Sequence, residues 1–229
     1  MIKTERSPLK YNFQAAPASS ATGGSMRIVA HLVALNGSPV RGSSIDLLLE
    51  EVCVGFREAG GEAEQVYCND LWIKPCQSCG PEPTSGYCIF HDDMDLIFPK
   101  LERAHAVVVG SPIYFDSVSA QLKLVIDRCN CITMLMRDGS FRPRWARTRR
   151  GAFVTTSGPR QRYDMAERCV RGFFKWVGVK WEETIAFVHE DIDSGSVSSR
   201  EPEAMARARA LGRRLAESPP IVPELSPRT

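Results

Sequence analysis

The residues of this 229-residue chain best suited to redox or metal chemistry are its eight cysteines. Cys76-Gln-Ser-Cys79, followed by Cys88, has the spacing of a thiolate metal site. Its C-x-x-C part also suits a redox-active pair, and plain reduced thiols are the third reading. Cys53, Cys129 and Cys169 fall on apolar helical stripes, where cysteine packs as a small hydrophobe. A different chemistry is offered by Asn36-Gly-Ser-Pro-Val-Arg-Gly-Ser-Ser44. This segment joins a strand to a helix, so its backbone N–H groups and the positive helix end can meet an anion. Ser38, Ser43 and Ser44 add hydroxyls and Arg41 a charge, a set that suits a phosphate; the same small residues also serve a plain strand-to-helix turn. Neither Gly-Lys-[Ser/Thr] nor G-x-G-x-x-G is present. Further on, Gly110-Ser-Pro-Ile-Tyr-Phe-Asp116 puts Tyr114 and Phe115 just past an apolar run. Two such rings can flank a flat heteroaromatic ligand, or cap the core.

Elements able to position these loops are readable from periodicity. Arg27 to Asn36, Ala106 to Gly110 and Ala152 to Thr156 are continuous apolar runs, the pattern of strands buried on both faces. Ala63 to Tyr67 and Thr184 to Val188 read as further, edge-like strands. Helical stripes follow: Ile45 to Phe56, Asp92 to Arg103 with Pro99 as an expected kink or fresh start, Val118 to Cys129, Met165 to Trp176, and Glu203 to Ala216. Five strands alternating with five helices call for a doubly wound α/β sheet. In such sheets ligands bind beyond the carboxyl ends of the strands, where the Gly/Ser/Pro/Thr loops of this chain lie. Residues 1–25 read as a disordered leader, 26–217 as one domain, and 218–229 as a flexible Pro-rich tail.

Composition excludes several classes. With Lys+Arg 29 against Asp+Glu 27 the net charge is only +2, too weak a field to imply nucleic acid or anionic lipid as a partner. The chain has no apolar run of transmembrane length and no secretory core in its first 25 residues, so a cytoplasmic protein with reduced thiols is expected. The basic run Arg142 to Arg150 with Trp145 reads as a solvated loop, His31 and His105 as structural, and Arg207, Arg209, Arg213 and Arg214 as decoration of an exposed helix.

Taken together, Gly37-Ser-Pro with Ser43-Ser44, Cys76-x-x-Cys79, Cys88 with Asp92-Asp93-Met94, and Gly110-Ser-Pro-Ile-Tyr-Phe with Ser119-Ala-Gln-Leu-Lys123 and Ile126-Asp-Arg128 resemble the flavodoxin-like NAD(P)H-dependent FMN reductases. Within them, the branch containing iron–sulfur flavoproteins is the most similar. The resemblance implies a 2-1-3-4-5 parallel sheet, FMN as cofactor, NAD(P)H as co-substrate, a small-molecule electron acceptor, and a homodimer or homotetramer. Carried over by position, Ser38, Arg41, Ser43, Ser44 and Ile45 would hold the phosphate. Pro112, Ile113, Tyr114 and Phe115 would line the isoalloxazine, and Thr156, Ser157 and Gly158 would form the third flavin loop. Departures from the pattern are Val40, where Arg is common, Ser44-Ile45, where Asn-Thr is common, and Asp116, where a small residue is common. In the branch that carries a [4Fe–4S] cluster a fourth cysteine falls where this chain has Glu82, which leaves Cys76, Cys79 and Cys88 as an incomplete ligand set.

The resulting expectation is an FMN-dependent oxidoreductase that works by a ping-pong cycle, with no side chain named as catalytic. A non-catalytic FMN electron carrier and a cofactor-free flavodoxin-like binding module are the competing readings.

Overall fold

Alternating faces of the central strands dictate two packed layers. A computed structural model describes residues 29–79, 87–135, 139, 141–143, 145, 148–158, 161–188, 197 and 201–217. The leader 1–25, Glu82 and the tail 218–229 lie outside the described residues. The strands are β1 (His31–Asn36), β2 (Glu62–Tyr67), β3 (Ala106–Tyr114), β4 (Ser117–Val118), β5 (Thr133–Leu135), β6 (Phe141–Pro143), β7 (Arg149–Ser157) and β8 (Val179–Val188). The helices are α1 (Ser44–Glu58), α2 (Met94–Arg103), α3 (Ala120–Arg128), α4 (Asp164–Val177) and α5 (Pro202–Glu217).

Five strands pair in parallel in the order β2-β1-β3-β7-β8. Counted alone they give the expected 2-1-3-4-5 order, and the order reverses between β1 and β3. Along β1 and β3, Val33, Leu35, Val107 and Val109 face the core shared with α2, α3 and α4. Leu32, Ala34 and Val108 face the core shared with α1 and α5. Helix α1 starts where Ser43 caps it, accepting the Asp46 N–H, and α4 stops at Gly178, which takes the left-handed conformation at φ 73°.

Helices α1 and α5 touch backbone to backbone. A Cβ on Gly55 would stand 1.9 Å from the Arg209 carbonyl oxygen, and one on Gly212 2.0 Å from that of Val52. Arg209 pairs with Glu51 and Arg213 with Glu58 across the seam; these arginines clamp α5 onto α1 rather than merely decorating it.

Three other expectations change. Helix α2 runs on through Pro99 without restarting. The basic run begins on β6, which pairs with β5 in a two-stranded ribbon, and within the run Trp145 and Arg149 are buried. Arg149 donates to the Leu101 carbonyl at 2.8 Å and to that of Glu102, and its guanidinium lies 5.0 Å from the Trp145 ring. This part of the run is internal structure, and no solvated loop. Finally, β3 extends past Gly110 and folds back on β4 as a hairpin, in a stretch that reads from sequence as a loop.

Candidate functional site

Three loops at the carboxyl ends of β1, β3 and β7 are tied together by buried hydrogen bonds. The Gly37 N–H donates to the Gly110 carbonyl at 2.8 Å. Ser119, the cap of α3, donates its hydroxyl to the Gly37 carbonyl at 2.6 Å and accepts the Leu122 N–H. Its own N–H donates to Ser111 Oγ at 2.9 Å, and Thr155 Oγ1 donates to the Ser111 carbonyl at 2.9 Å. A Cβ at Gly37 would stand 2.8 Å from both Leu122 Cβ and Ser119 Oγ, so the close approach of the first two loops requires glycine.

In the first loop Ser43 donates its hydroxyl to Ser38 Oγ at 2.9 Å, and Ser38 in turn donates to the Val40 carbonyl. The N–H groups of Arg41, Ser43, Ser44 and Ile45 enter no hydrogen bond among the described residues, which leaves a cluster of donors at the positive end of α1. The other expected contributors turn elsewhere. Arg41 stacks on Tyr67 and pairs with Asp70. Ser44 Oγ accepts the Val197 N–H, and the Ile45 side chain is buried in the core, so Ser44 and Ile45 can offer the site their backbone N–H groups. Asp46, which the sequence reading passed over, braces the loop against β2. It accepts the Gly42 N–H at 2.7 Å and the Tyr67 hydroxyl at 2.7 Å, together with Gln65.

The second loop is the β3–β4 hairpin. Its two turn residues, Phe115 and Asp116, both have positive φ, 51° and 60°, as a type I′ turn demands, yet neither is glycine. For phenylalanine this conformation costs about 1–2 kcal/mol. No burial compensates, because Phe115 is 99% exposed and Tyr114 beside it 45%. Ile113 is buried in the core and Pro112 half-buried. The turn is held from the third loop, where the Arg162 N–H donates to Asp116 Oδ1 at 3.0 Å.

In that third loop Thr156 and Ser157 are buried, and Gly158 donates to Gln161. The Ser157 hydroxyl is buried without a hydrogen-bond partner among the described residues, a condition that costs about 1–3 kcal/mol unless a ligand meets it. Four uncommitted N–H groups after β1, two exposed rings after β3 and an uncommitted buried hydroxyl at the end of β7 therefore lie at the carboxyl ends of the central strands, where ligands of such sheets bind. These residues fit a planar phosphorylated cofactor such as FMN. A groove of about 390 Å³ between α3 and α4, lined by Cys76, Asp127, Asn130, Phe173 and Trp176, shares no residue with these loops.

Cys76, Cys79 and Cys88 are not gathered: among the described residues no three His, Cys, Asp or Glu side chains group to hold a metal ion. Cys88 Sγ instead accepts from Arg128 Nη2 at 3.3 Å. Arg128 also donates to the Lys74 carbonyl at 2.9 Å and pairs with Asp92, both side chains of that pair being fully buried. The cysteine segment is thus fastened to α3 by a buried ion pair, whose disruption would cost about 3–5 kcal/mol. The described thiols do not fit a cluster. Burial pushes the Cys53 and Cys68 thiols up to about 12 and raises Cys129 well above its usual range, which keeps them protonated and inert.

Comparison with known proteins agrees with this geometry. The family model described as NADPH-dependent FMN reductase matches residues 30–188. An iron–sulfur flavoprotein of Methanosarcina thermophila is 26% identical over 148 residues, 65% of this chain and 73% of its own length. Another, from Archaeoglobus fulgidus, is 36% identical over 129 residues, 56% of this chain and 60% of its own. Among solved structures, the NAD(P)H:quinone oxidoreductase from Methanothermobacter marburgensis superposes with a TM-score of 0.59 at 19% identity, covering 82% of this chain and 100% of that one, a likeness of fold.

Proposed function

Because the chain belongs to the NADPH-dependent FMN reductase family, we propose that its three loops hold FMN and that it passes electrons from NAD(P)H to a small-molecule acceptor such as a flavin, quinone, nitro or azo compound. The observation that carries this reading is the set of uncommitted donors at the carboxyl ends of the central strands: the N–H groups of Arg41, Ser43, Ser44 and Ile45 after β1, and the buried hydroxyl of Ser157 at the end of β7. FMN bound there would supply the hydride and electron chemistry that the side chains lack.

The residues around it bind and orient. Ser38, Ser43 and the first N–H groups of α1 receive the phosphate. Pro112, Tyr114 and Phe115 would wall the ring on one side, with Ile113 anchoring the hairpin in the core, while Thr156, Ser157 and Gly158 would reach its polar edge. The roles left to this chain would be binding and orientation, so no side-chain acid is required. Tyr114 and Phe115 stand exposed where a nicotinamide or an acceptor can stack. One shared face admits them in turn, which makes the cycle ping-pong. The exposed apolar residues Tyr114, Phe115 and Met165 also favour assembly into a homodimer or homotetramer. No helix among the described residues is long and apolar enough to cross a membrane, and a cytoplasmic location is proposed.

The test is an anaerobic titration of the purified, FMN-loaded protein with NADH and with NADPH, followed at the flavin absorbance. Stoichiometric bleaching is expected. A protein that cannot be loaded with FMN would overturn the site. A loaded protein bleached only by a reduced iron–sulfur donor would make it an electron carrier instead.

A further inference from the structure

The β3–β4 turn carries a residue whose charge the proposed reaction does not use. Asp116 is exposed and sits in the left-handed region at φ 60°, a place that glycine, asparagine or aspartate fill with least strain. Its carboxylate is not free to swing, since Oδ1 accepts the Arg162 N–H at 3.0 Å. That donor is a neutral backbone group, so the bond fixes the carboxylate without cancelling its charge. The nearby guanidinium of Arg162 is directed to Asp164, with Nε 3.1 Å from Oδ1. Asp116 itself enters no ion pair among the described residues, so its own negative charge stands beside the exposed rings of Tyr114 and Phe115.

We propose that Asp116 is a charge selector for the electron acceptor: its latched carboxylate slows anionic acceptors and leaves neutral planar ones untouched. The inference rests on the FMN reading above. Its physical basis is Coulombic. A fixed charge at a solvent-exposed rim acts on a multiply charged ion over several ångströms at low ionic strength and is screened within about 10 Å at about 0.1 M salt. An uncharged ring feels only the shape of the turn. The strained, fully exposed Phe115 supplies that shape.

Two acceptors separate charge from shape: ferricyanide, a trivalent anion, and benzoquinone, which is neutral. FMN-loaded protein is photoreduced anaerobically with a sacrificial tertiary amine, which supplies the two electrons and is oxidised, and is then mixed with each. Two ferricyanide ions take the two electrons of one anionic reduced flavin and become ferrocyanide, the flavin's proton passing to the buffer; one benzoquinone takes both electrons with that proton and a second proton from the buffer to become hydroquinone. Asp116→Asn retains an oxygen to accept the Arg162 N–H and tolerates the same φ. It is expected to speed ferricyanide reduction roughly three- to tenfold at about 10 mM salt, with the gain shrinking below about twofold at about 0.5 M, while the benzoquinone rate stays the same. An unchanged ratio of the two rates would overturn the selector.

A second readout needs no flavin. Hydrogen exchange at the Arg162 amide is expected to be slow in the wild type and Asp116→Asn and several-fold faster in Asp116→Gly, which keeps the turn and loses the acceptor. Equal exchange in wild type and Asp116→Gly would overturn the latch. If wild-type protein retained no FMN, the functional reading would fall and the selector with it, whereas loaded variants that treat both acceptors as the wild type does would sink the selector alone.

Discussion

Ser119→Ala tests whether the three loops are held as one unit. The Ser119 hydroxyl donates to the Gly37 carbonyl at 2.6 Å in a fully buried place, and it accepts the Leu122 N–H as the cap of α3. Alanine leaves the carbonyl of a buried loop without that donor, at about 1–3 kcal/mol, and removes a serine cap worth about 1 kcal/mol. The bond from the Ser119 N–H to Ser111 Oγ is made by the backbone and survives, so the hairpin stays in place while the first loop loosens. A total of about 2–4 kcal/mol follows, or a fall in Tm of about 4–16 °C for a domain of this size. FMN affinity should fall about tenfold or more, since the phosphate donors then have to be re-ordered by the ligand. Calorimetry and flavin fluorescence titration measure the two effects. The control is Ser117→Ala on the same hairpin, a half-buried serine expected to stay within about 0.5 kcal/mol. If Ser119→Ala melted within about 2 °C of wild type, half of the smallest expected shift, and bound FMN as tightly, the idea that this hydroxyl joins the loops would be wrong.

Three further outcomes are expected. Replacing Ser38 and Ser43 together by Glu should abolish FMN retention on a desalting column, because two carboxylates would face the phosphate; an unchanged flavin-to-protein ratio refutes the phosphate site. Alkylation of the native, reduced protein followed by peptide mass spectrometry should label exposed Cys79 first and spare Cys53, Cys68 and Cys129, whose thiols burial keeps protonated; labelling of Cys68 at the rate of Cys79 would contradict its burial. Hydrogen bonding to Arg150, joined to Glu182 at 2.6 and 2.8 Å, holds the Glu182 carboxyl below its usual range. A lowered folded-state pKa gives stability that is present above the unfolded value of about 4.3 and is lost as the pH falls through the folded one. Glu182→Gln should therefore flatten the acid limb of a denaturation profile, and an unaltered limb would show that the β7–β8 pair contributes nothing there.

The parallel sheet was legible because strands buried on both faces carry apolar middles, and residues 32–35 of β1, 106–109 of β3 and 152–154 of β7 are such stretches. The loops at their carboxyl ends were legible too, through their glycine, serine and proline. Missing from the sequence reading was the β3–β4 hairpin. Its turn is Phe115-Asp116, whereas a type I′ turn normally announces itself by Asn-Gly or Asp-Gly. Nor could charge patterning reveal that Arg128 and Arg149 are buried. Each guanidinium is accommodated by partners distant in sequence, Asp92 and the Lys74 carbonyl for Arg128 and the Leu101 and Glu102 carbonyls for Arg149. Composition alone assigns such arginines to the surface. Arg41 failed in the opposite sense: its place in the anion loop was right, but Tyr67 and Asp70, more than twenty residues away, decide where its charge points.

Glycines 55 and 212, which let α5 lie directly against α1, have a bearing on the order in which the protein is made. Helix α1 carries the anion loop at its start, and its outer flank is closed by residues 202–217. During synthesis from the amino end, all three loops leave the ribosome before the helix that braces the first of them. A nascent chain released only as far as β8 would have the site residues and lack the support for α1. Cofactor loading is then expected to follow release of α5, and ribosome-stalled chains ending near residue 190 should capture FMN far less well than chains in which α5 has emerged.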